Sequence, residues 1–204
     1  KRINPPVCIL NIGGISNYTY CFNDTLAAKD IGPGNVLMDE YLKKTKGIDY
    51  DKNGDIASSG NINIDIINQF YEHEFYNTQQ KHSFDRNEFD FSFVKGLEFE
   101  DAVATLTYFT ALIISQNIKK NFDNEIEIIL CGGGRRNLVL VNHIKKLLKY
   151  KIKLIDELGI DGDFIESQAF AYLSIRSYLK KIISYPSTTN VLTPVTGGEI
   201  IINY

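Results

Sequence analysis

The chain has no tryptophan, one methionine, three histidines and five prolines among 204 residues. It lacks an excess of basic charge. Its 22 Lys and Arg face 25 Asp and Glu, a net charge of −3, which argues against a protein that grips nucleic acid through a basic face. The lysine pairs at 43–44, 119–120, 145–146 and 180–181 fall at helix ends or on helix faces and read as solvated surface. The three cysteines, Cys8, Cys21 and Cys131, are too scattered for a disulfide framework or a zinc site, and read as reduced, buried thiols of a cytoplasmic protein. No long apolar run is present. The most apolar stretch, 102–115, is interrupted by Thr105, Thr107 and Thr110 and is shorter than the ~20 residues that span a bilayer, so a soluble protein with no membrane partner is expected. His73, His82 and His143 show no metal-ligand spacing. The Asp51-Lys-Asn-Gly-Asp55 segment resembles a calcium loop but carries Ile56 where that loop needs glycine, and no metal-binding residues are assigned.

With 44% hydrophobic residues the chain can bury a normal core, and its length fits one domain or one lobe of a two-lobed protein. Val7–Ile12, Tyr18–Phe22 and about 27–31 read as short strands joined by turns at Gly13-Gly14 and Asn23-Asp24. Asn35 is placed to cap a helix over about 36–45, which Gly47 ends. Residues 48–98 form an insertion with a helix over about 64–76, and an almost uniformly apolar helix follows to about Lys120. A strand at 126–130, a helix at about 137–148, a strand at 152–155 and a helix at about 162–179 complete the order β-β-β-α-(insertion)-α-β-α-β-α. This order implies an α/β fold, a mixed five-stranded sheet with helices on both faces and a helical insertion.

Three constellations carry chemistry. Gly13-Gly14 alone fits an ordinary hairpin turn, but Ser16 and Asn17 behind it place polar groups where a phosphate or a sugar hydroxyl could sit. Asp30 ends a strand at the Gly32-Pro33-Gly34 turn, where a carboxylate can serve as a base. The Gly132-Gly133-Gly134 run, followed by Asn137, stands at a strand-to-helix junction and suggests a planar group packed on bare backbone. Glu166, behind Asp161 and Asp163, fits helix-dipole chemistry as well as ligand contact.

These segments resemble the C-terminal half of the anhydro-N-acetylmuramic acid kinase family, in the actin- and hexokinase-like ATPase superfamily. The likeness runs through Leu10-Asn-Ile-Gly-Gly-Ile-Ser-Asn17, Asp30-Ile-Gly-Pro-Gly-Asn-Val-Leu-Met-Asp39, Tyr50-Asp-Lys52, Ala104-Thr-Leu-Thr107, Cys131-Gly-Gly-Gly134, Asp156 with Gly159-Ile160, and Val195-Thr-Gly197. The resemblance implies a ribonuclease H-like, actin-like ATPase lobe spanning 1–204. It also implies a bacterial cytoplasmic enzyme of cell-wall recycling. With ATP, water and Mg2+, it would cleave the internal ether of 1,6-anhydro-N-acetylmuramic acid and yield N-acetylmuramic acid 6-phosphate. By the family pattern Asp30 is the general base. Gly13, Gly14, Ser16 and Asn17 would meet phosphate, and Gly132, Gly133, Gly134 and Asn137 would meet adenosine. Gly32, Asn35, Arg86 and Glu166 would face the sugar.

The chain departs from that pattern in two ways. The insertion loop reads Lys81-His-Ser-Phe-Asp-Arg-Asn87, keeping only Ser83 and Arg86 of the family's Pro-Lys-Ser-Thr-Gly-Arg-Glu. The family's Gly-Thr-Ser-x-Asp-Gly phosphate loop and its His-Gly-Gln-Thr segment do not occur. The expectation is a lobe that is inactive without an N-terminal partner lobe and prone to pair with itself through an apolar face. The alternative is a non-catalytic remnant that binds only nucleotide or sugar.

Overall fold

A computed structural model describes residues 3–23, 25–71, 84–85, 89–122, 126–199 and 201. Strands β1 (Val7–Ile12), β2 (Ile15–Phe22) and β3 (Thr25–Pro33) form an antiparallel meander. β4 (Glu127–Cys131) adds parallel to β1, and β5 (Lys151–Leu154) parallel to β4, giving the order β3-β2-β1-β4-β5. The two central strands are the most apolar, as a strand covered on both faces must be. Cys8, Leu10, Ile12, Ile128 and Leu130 enter the main core, whereas Val7, Ile129 and Cys131 point to the opposite face.

The helices are α1 (Val36–Lys46), α2 (Asp55–Ser59), α3 (Ile64–Tyr71), α4 (Phe99–Asn121), α5 (Leu138–Leu147), α6 (Ile165–Tyr178) and α7 (Pro186–Thr189). The helix expected over about 64–76 is described only as far as Tyr71. α4 is the spine of the main core. Its acids Glu100 and Asp101 lie in the first turn and Lys119 and Lys120 in the last, complementing the helix dipole. Its middle is buried on nearly every side, threonines included. Two of the three find partners: Thr105 accepts from the Asn63 N–H at 3.0 Å, and Thr107 donates to the Val103 carbonyl at 2.8 Å, whereas the Thr110 hydroxyl makes no hydrogen bond. The cysteines are free, and burial pushes the Cys8 thiol up to about 12 and Cys131 to about 11. Among the described residues no helix is long and apolar enough to cross a membrane.

Two expectations need correction. Asn35 stands at the N-cap of α1 but makes no side-chain cap bond, because its own backbone is already helical at φ −77°, ψ −13° and lacks the extended form from which a cap side chain reaches back to the helix. The helix after β5 does not cover the sheet's second face along its length. Only Ile165 of α6 packs there, beside a small cluster of Val7, Ile129, Cys131 and Ile155. The tail instead turns back at a Ser184–Val195 bridge and lays α7 against β3.

A charged strut joins these parts. Arg135 is 4% exposed, yet its guanidinium donates to Asp156 Oδ2 at 2.7 Å, to Asp163 Oδ1 at 2.9 Å and to the Gly132 carbonyl at 3.1 Å. Gly162 lies flat on it, since a Cβ there would stand 2.3 Å from Nε. The guanidinium holds the Asp156 carboxyl down at about 2, from 3.8. A carboxyl depressed in the fold adds stability that is complete above its unfolded value and fades as pH falls through the folded one. Acid titration of the melting temperature is therefore expected to show a drop between pH ~4 and ~2 that Asp156→Asn flattens. Because the Asp156 side chain is 45% exposed, that variant should lose only about 1–2 kcal/mol at neutral pH, measured by denaturant unfolding.

Candidate active site

The site is built around the end of β1. The Gly13 carbonyl accepts from the Asn35 N–H at 2.7 Å, and the Gly14 carbonyl accepts from Gly34 and Val36 at 2.9 and 3.1 Å. The turn after β1 is thus zipped to the start of α1. Gly34 permits this approach, since a Cβ there would lie 2.2 Å from the Gly13 oxygen. On the other side the loop after β4 presses on the same strand end. A Cβ on Gly132 would sit 2.3 Å from Asn11 Oδ1, and one on Gly134 the same distance from Ile12 Cγ2. Gly133 differs: it is exposed, and the nearest atom to its Cβ position is Asn35 Nδ2 at 3.6 Å. Two of the three glycines are therefore explained by packing, and Gly133 alone is left free to meet a ligand.

Gly133 opens on a cleft of roughly 450 Å³, lined also by Asn35, Tyr50, Lys52, Arg136 and Asn137. Asn35, read from the sequence as a sugar contact, thus stands with the residues read as adenosine contacts. Asn137 is 7% exposed and caps α5 by accepting from the Leu140 N–H at 3.0 Å. Asp51, beside the cleft, is buried because both carboxylate oxygens accept N–H groups at the start of α2, from Ile56 and Ala57.

A second cleft, of roughly 690 Å³, lies over the β2–β3 edge and is lined by Asn17, Lys29 and Asp30 together with Ser187, Thr188 and Asn190 at α7. The strand register aligns Asp30 with Asn17, Asn17 with Asn11, and Asn11 with Cys131. Residues directly opposite in a ladder share a face, so a polar row runs across the sheet from Asp30 to Asn11, where the Cys131 thiol approaches Oδ1 at 3.8 Å. Asp30 is half-buried and accepts from the Phe84 N–H at 3.1 Å. Burial raises its carboxyl above 3.8, and the Phe84 N–H partly offsets this. A carboxylate raised in this way is a stronger base than a solvated one.

The remaining sequence-derived residues are placed differently. Ser16 is fully buried and donates to the Pro33 carbonyl at 3.0 Å, knitting β2 to β3. Gly32 is buried with φ +136°, against Ile113 of α4. Gly13 and Gly14 remain half-exposed at the turn. Glu166 is exposed in the first turn of α6 and lines neither cleft. Arg86 lies outside the described residues. Sequence reasoning missed Asn11, although it is the one polar residue of an otherwise apolar central strand. It also missed the hydroxyl-bearing α7, whose four residues carry no periodic signal.

Comparison with known proteins identifies the fold and the family. A structure of the activator of 2-hydroxyisocaproyl-CoA dehydratase from Clostridium difficile, with bound ADPNP, matches the fold with TM-score 0.53. The match covers 90% of this chain and 66% of that one at 16% identity. In sequence, the chain is 48% identical to the anhydro-N-acetylmuramic acid kinase of Pelagibacter ubique, covering all of itself and 57% of that relative. It is 37% identical to the enzyme of the same name from Zymomonas mobilis, covering 96% of itself and 54% of the relative. The chain therefore spans about half the length of the curated relatives it matches. The family described as anhydro-N-acetylmuramic acid kinase matches residues 3–203, and the chain belongs to that family.

Proposed function

We propose that this chain is the C-terminal lobe of a kinase that opens the internal ether of 1,6-anhydro-N-acetylmuramic acid and phosphorylates the freed oxygen from ATP. Residues 48–98 are its insertion, and the rest of the site comes from an N-terminal lobe supplied by further polypeptide. The observation that carries the reading is Asp30: half-buried, with a raised carboxyl pKa, in register with Asn17 and open to the larger cleft. In the reaction, the Asp30 carboxylate takes a proton from water as the water oxygen bonds to the anomeric carbon. The bond from that carbon to O6 breaks, and O6 takes the γ-phosphoryl group as ADP leaves. Asn17 and the α7 hydroxyls hold the sugar. The nucleotide lies along Gly133 with its base in the smaller cleft, near Tyr50 and Asn137, and its phosphates reach the Gly13-Gly14 turn. That the fold neighbour carries an ATP analogue supports a nucleotide at this fold's cleft.

Magnesium supplies charge neutralisation across the phosphates. Among the described residues no group of three or more His, Cys, Asp or Glu is arranged to hold a metal ion.

The test mixes this chain with the part of the Pelagibacter ubique relative that lies outside its match, and follows phosphate transfer from ATP to the anhydro-sugar. Product is expected in the mixture, and Asp30→Asn should slow it by ~10²–10⁴-fold. Folded mixtures that transfer no phosphate, or an equally active Asp30→Asn, would overturn the reading. Because the Asp30 carboxyl is raised, kcat/KM should fall on the acid side with an inflection above 3.8. Gly133→Val should raise KM for ATP by ~10-fold at unchanged melting temperature. Gly134→Val, driven against Ile12, should instead destabilise the fold by ~1–3 kcal/mol.

A further inference from the structure

Asn11 sits half-buried in β1, between Leu10 and Ile12, which are both fully buried. A polar side chain in a central strand costs stability unless its groups are partnered. The Asn11 carboxamide is held by one end only. The Cys131 thiol lies 3.8 Å from Oδ1, and burial pushes that thiol up to about 11, so at neutral pH it stays protonated and donates. Gly132 makes the room, since a Cβ there would stand 2.3 Å from Oδ1. The oxygen therefore faces β4 and the nitrogen faces the turn after β1, where Nδ2 lies 3.8 Å from the Cβ position of Gly13. Among the described residues nothing accepts the Nδ2 hydrogens.

This orientation leaves a fixed, neutral donor beside the Gly13-Gly14 turn, on the sheet face that carries Asp30. The geometry points to Asn11 as a catalytic residue of phosphoryl transfer, its Nδ2 donating to an oxygen of the γ-phosphoryl group, with Cys131 as the positioning residue that keeps the donor end turned to the phosphate. The inference rests on the proposed kinase reading. Spacing along the polar row supports it. Two inter-strand gaps of ~4.8 Å, bridged by Asn17, separate the Asp30 and Asn11 positions, ~10 Å in all. The reacting atoms need a run of similar length. It takes ~2.8 Å from base to water, ~3 Å from water to the anomeric carbon, one C–O bond to O6, and ~3 Å from O6 to the γ-phosphorus. One end of the row then takes the proton and the other meets the charge that gathers on the phosphoryl oxygens. Asn11 neither gains nor loses a proton; its hydrogen bond strengthens as that charge develops. The thiol contact matters because a carboxamide free to turn would offer its oxygen to the phosphate and repel it.

The experiment uses this chain mixed with the unmatched part of the Pelagibacter ubique relative. Asn11→Leu keeps the branched shape and removes both polar groups, so the melting temperature should hold or rise. Its kcat should fall ~10²–10³-fold with KM for ATP within ~3-fold of the parent. A merely structural asparagine predicts the opposite, a changed melting temperature at unchanged kcat. Cys131→Ala should lower kcat several-fold and Cys131→Ser should restore it, because a hydroxyl donates to Oδ1 in the thiol's place. If Asn11→Leu does not fold, this pair reads the same donor. ADPNP gives a readout without turnover: the 31P resonance of its γ-phosphorus should move on Asn11→Leu while that of the α-phosphorus holds. Unchanged kcat in folded Asn11→Leu, or a γ resonance indifferent to the variant, would overturn the inference. A mixture that binds ADPNP with the expected γ shift but transfers no phosphate would sink the kinase reading and leave the Asn11 contact standing. Full turnover by both the parent and Asn11→Leu would do the reverse.

Discussion

Three backbone segments converge on the last residues of β1 at distances that exclude side chains. The Gly13 and Gly14 carbonyls take the first N–H groups of α1, the bare Cα of Gly34 lies over Gly13, and Gly134 presses on Ile12. Backbone donors and acceptors buried without partners are costly, and here each loop satisfies those of the other. The arrangement fixes, in one place, the mouth of the hairpin, the start of a helix and the loop after β4. The smaller cleft is lined by these pieces through Asn35 and Gly133, so its geometry follows from a contact between main chains and not from any one functional side chain.

The rest of the fold holds that convergence still. α4 fills the main core beneath β1 and β4, and its Ile113 supports the buried Gly32 on the way to α1. On the far side the Arg135 guanidinium bonds the Gly132 carbonyl and the two aspartates that follow β5. A buried guanidinium is tolerated because five donors in one plane can be matched by two carboxylates and a carbonyl. The strut sets the loop's outline while leaving Gly133 uncovered, which is what a surface meant for a ligand requires.

Much of this was legible in the sequence. The apolar strands, the long helix and its charged ends, and the Gly47 stop all follow from local periodicity and capping, which need no knowledge of the partner. Asp30 stood out in the sequence as a carboxylate beside Gly-Pro-Gly, but it was expected to end its strand, and β3 runs on to Pro33 because Ile15 and Ser16 continue to pair with it. Side-chain direction was not legible. Ser16 and Asn17 are neighbours in sequence, yet strand alternation and the irregular register between them bury the first and bring the second level with Asp30. Asn35 was read as a cap and a sugar contact. Its backbone is helical, so its amide does not cap and lies instead beside the glycine loop.

The sequence by itself determined the five strands, the longer helices, their order and the family, since each is written in residue types within a few positions of one another. The tertiary structure decided which glycine of the loop after β4 stays uncovered, which polar residues share a face with Asp30, and that α6 leaves its large apolar side chains exposed. Those outcomes depend on segments far apart in the chain, such as Gly13 with Gly34, Asn11 with Gly132 and β3 with α7, and local periodicity carries no information about which of them meet.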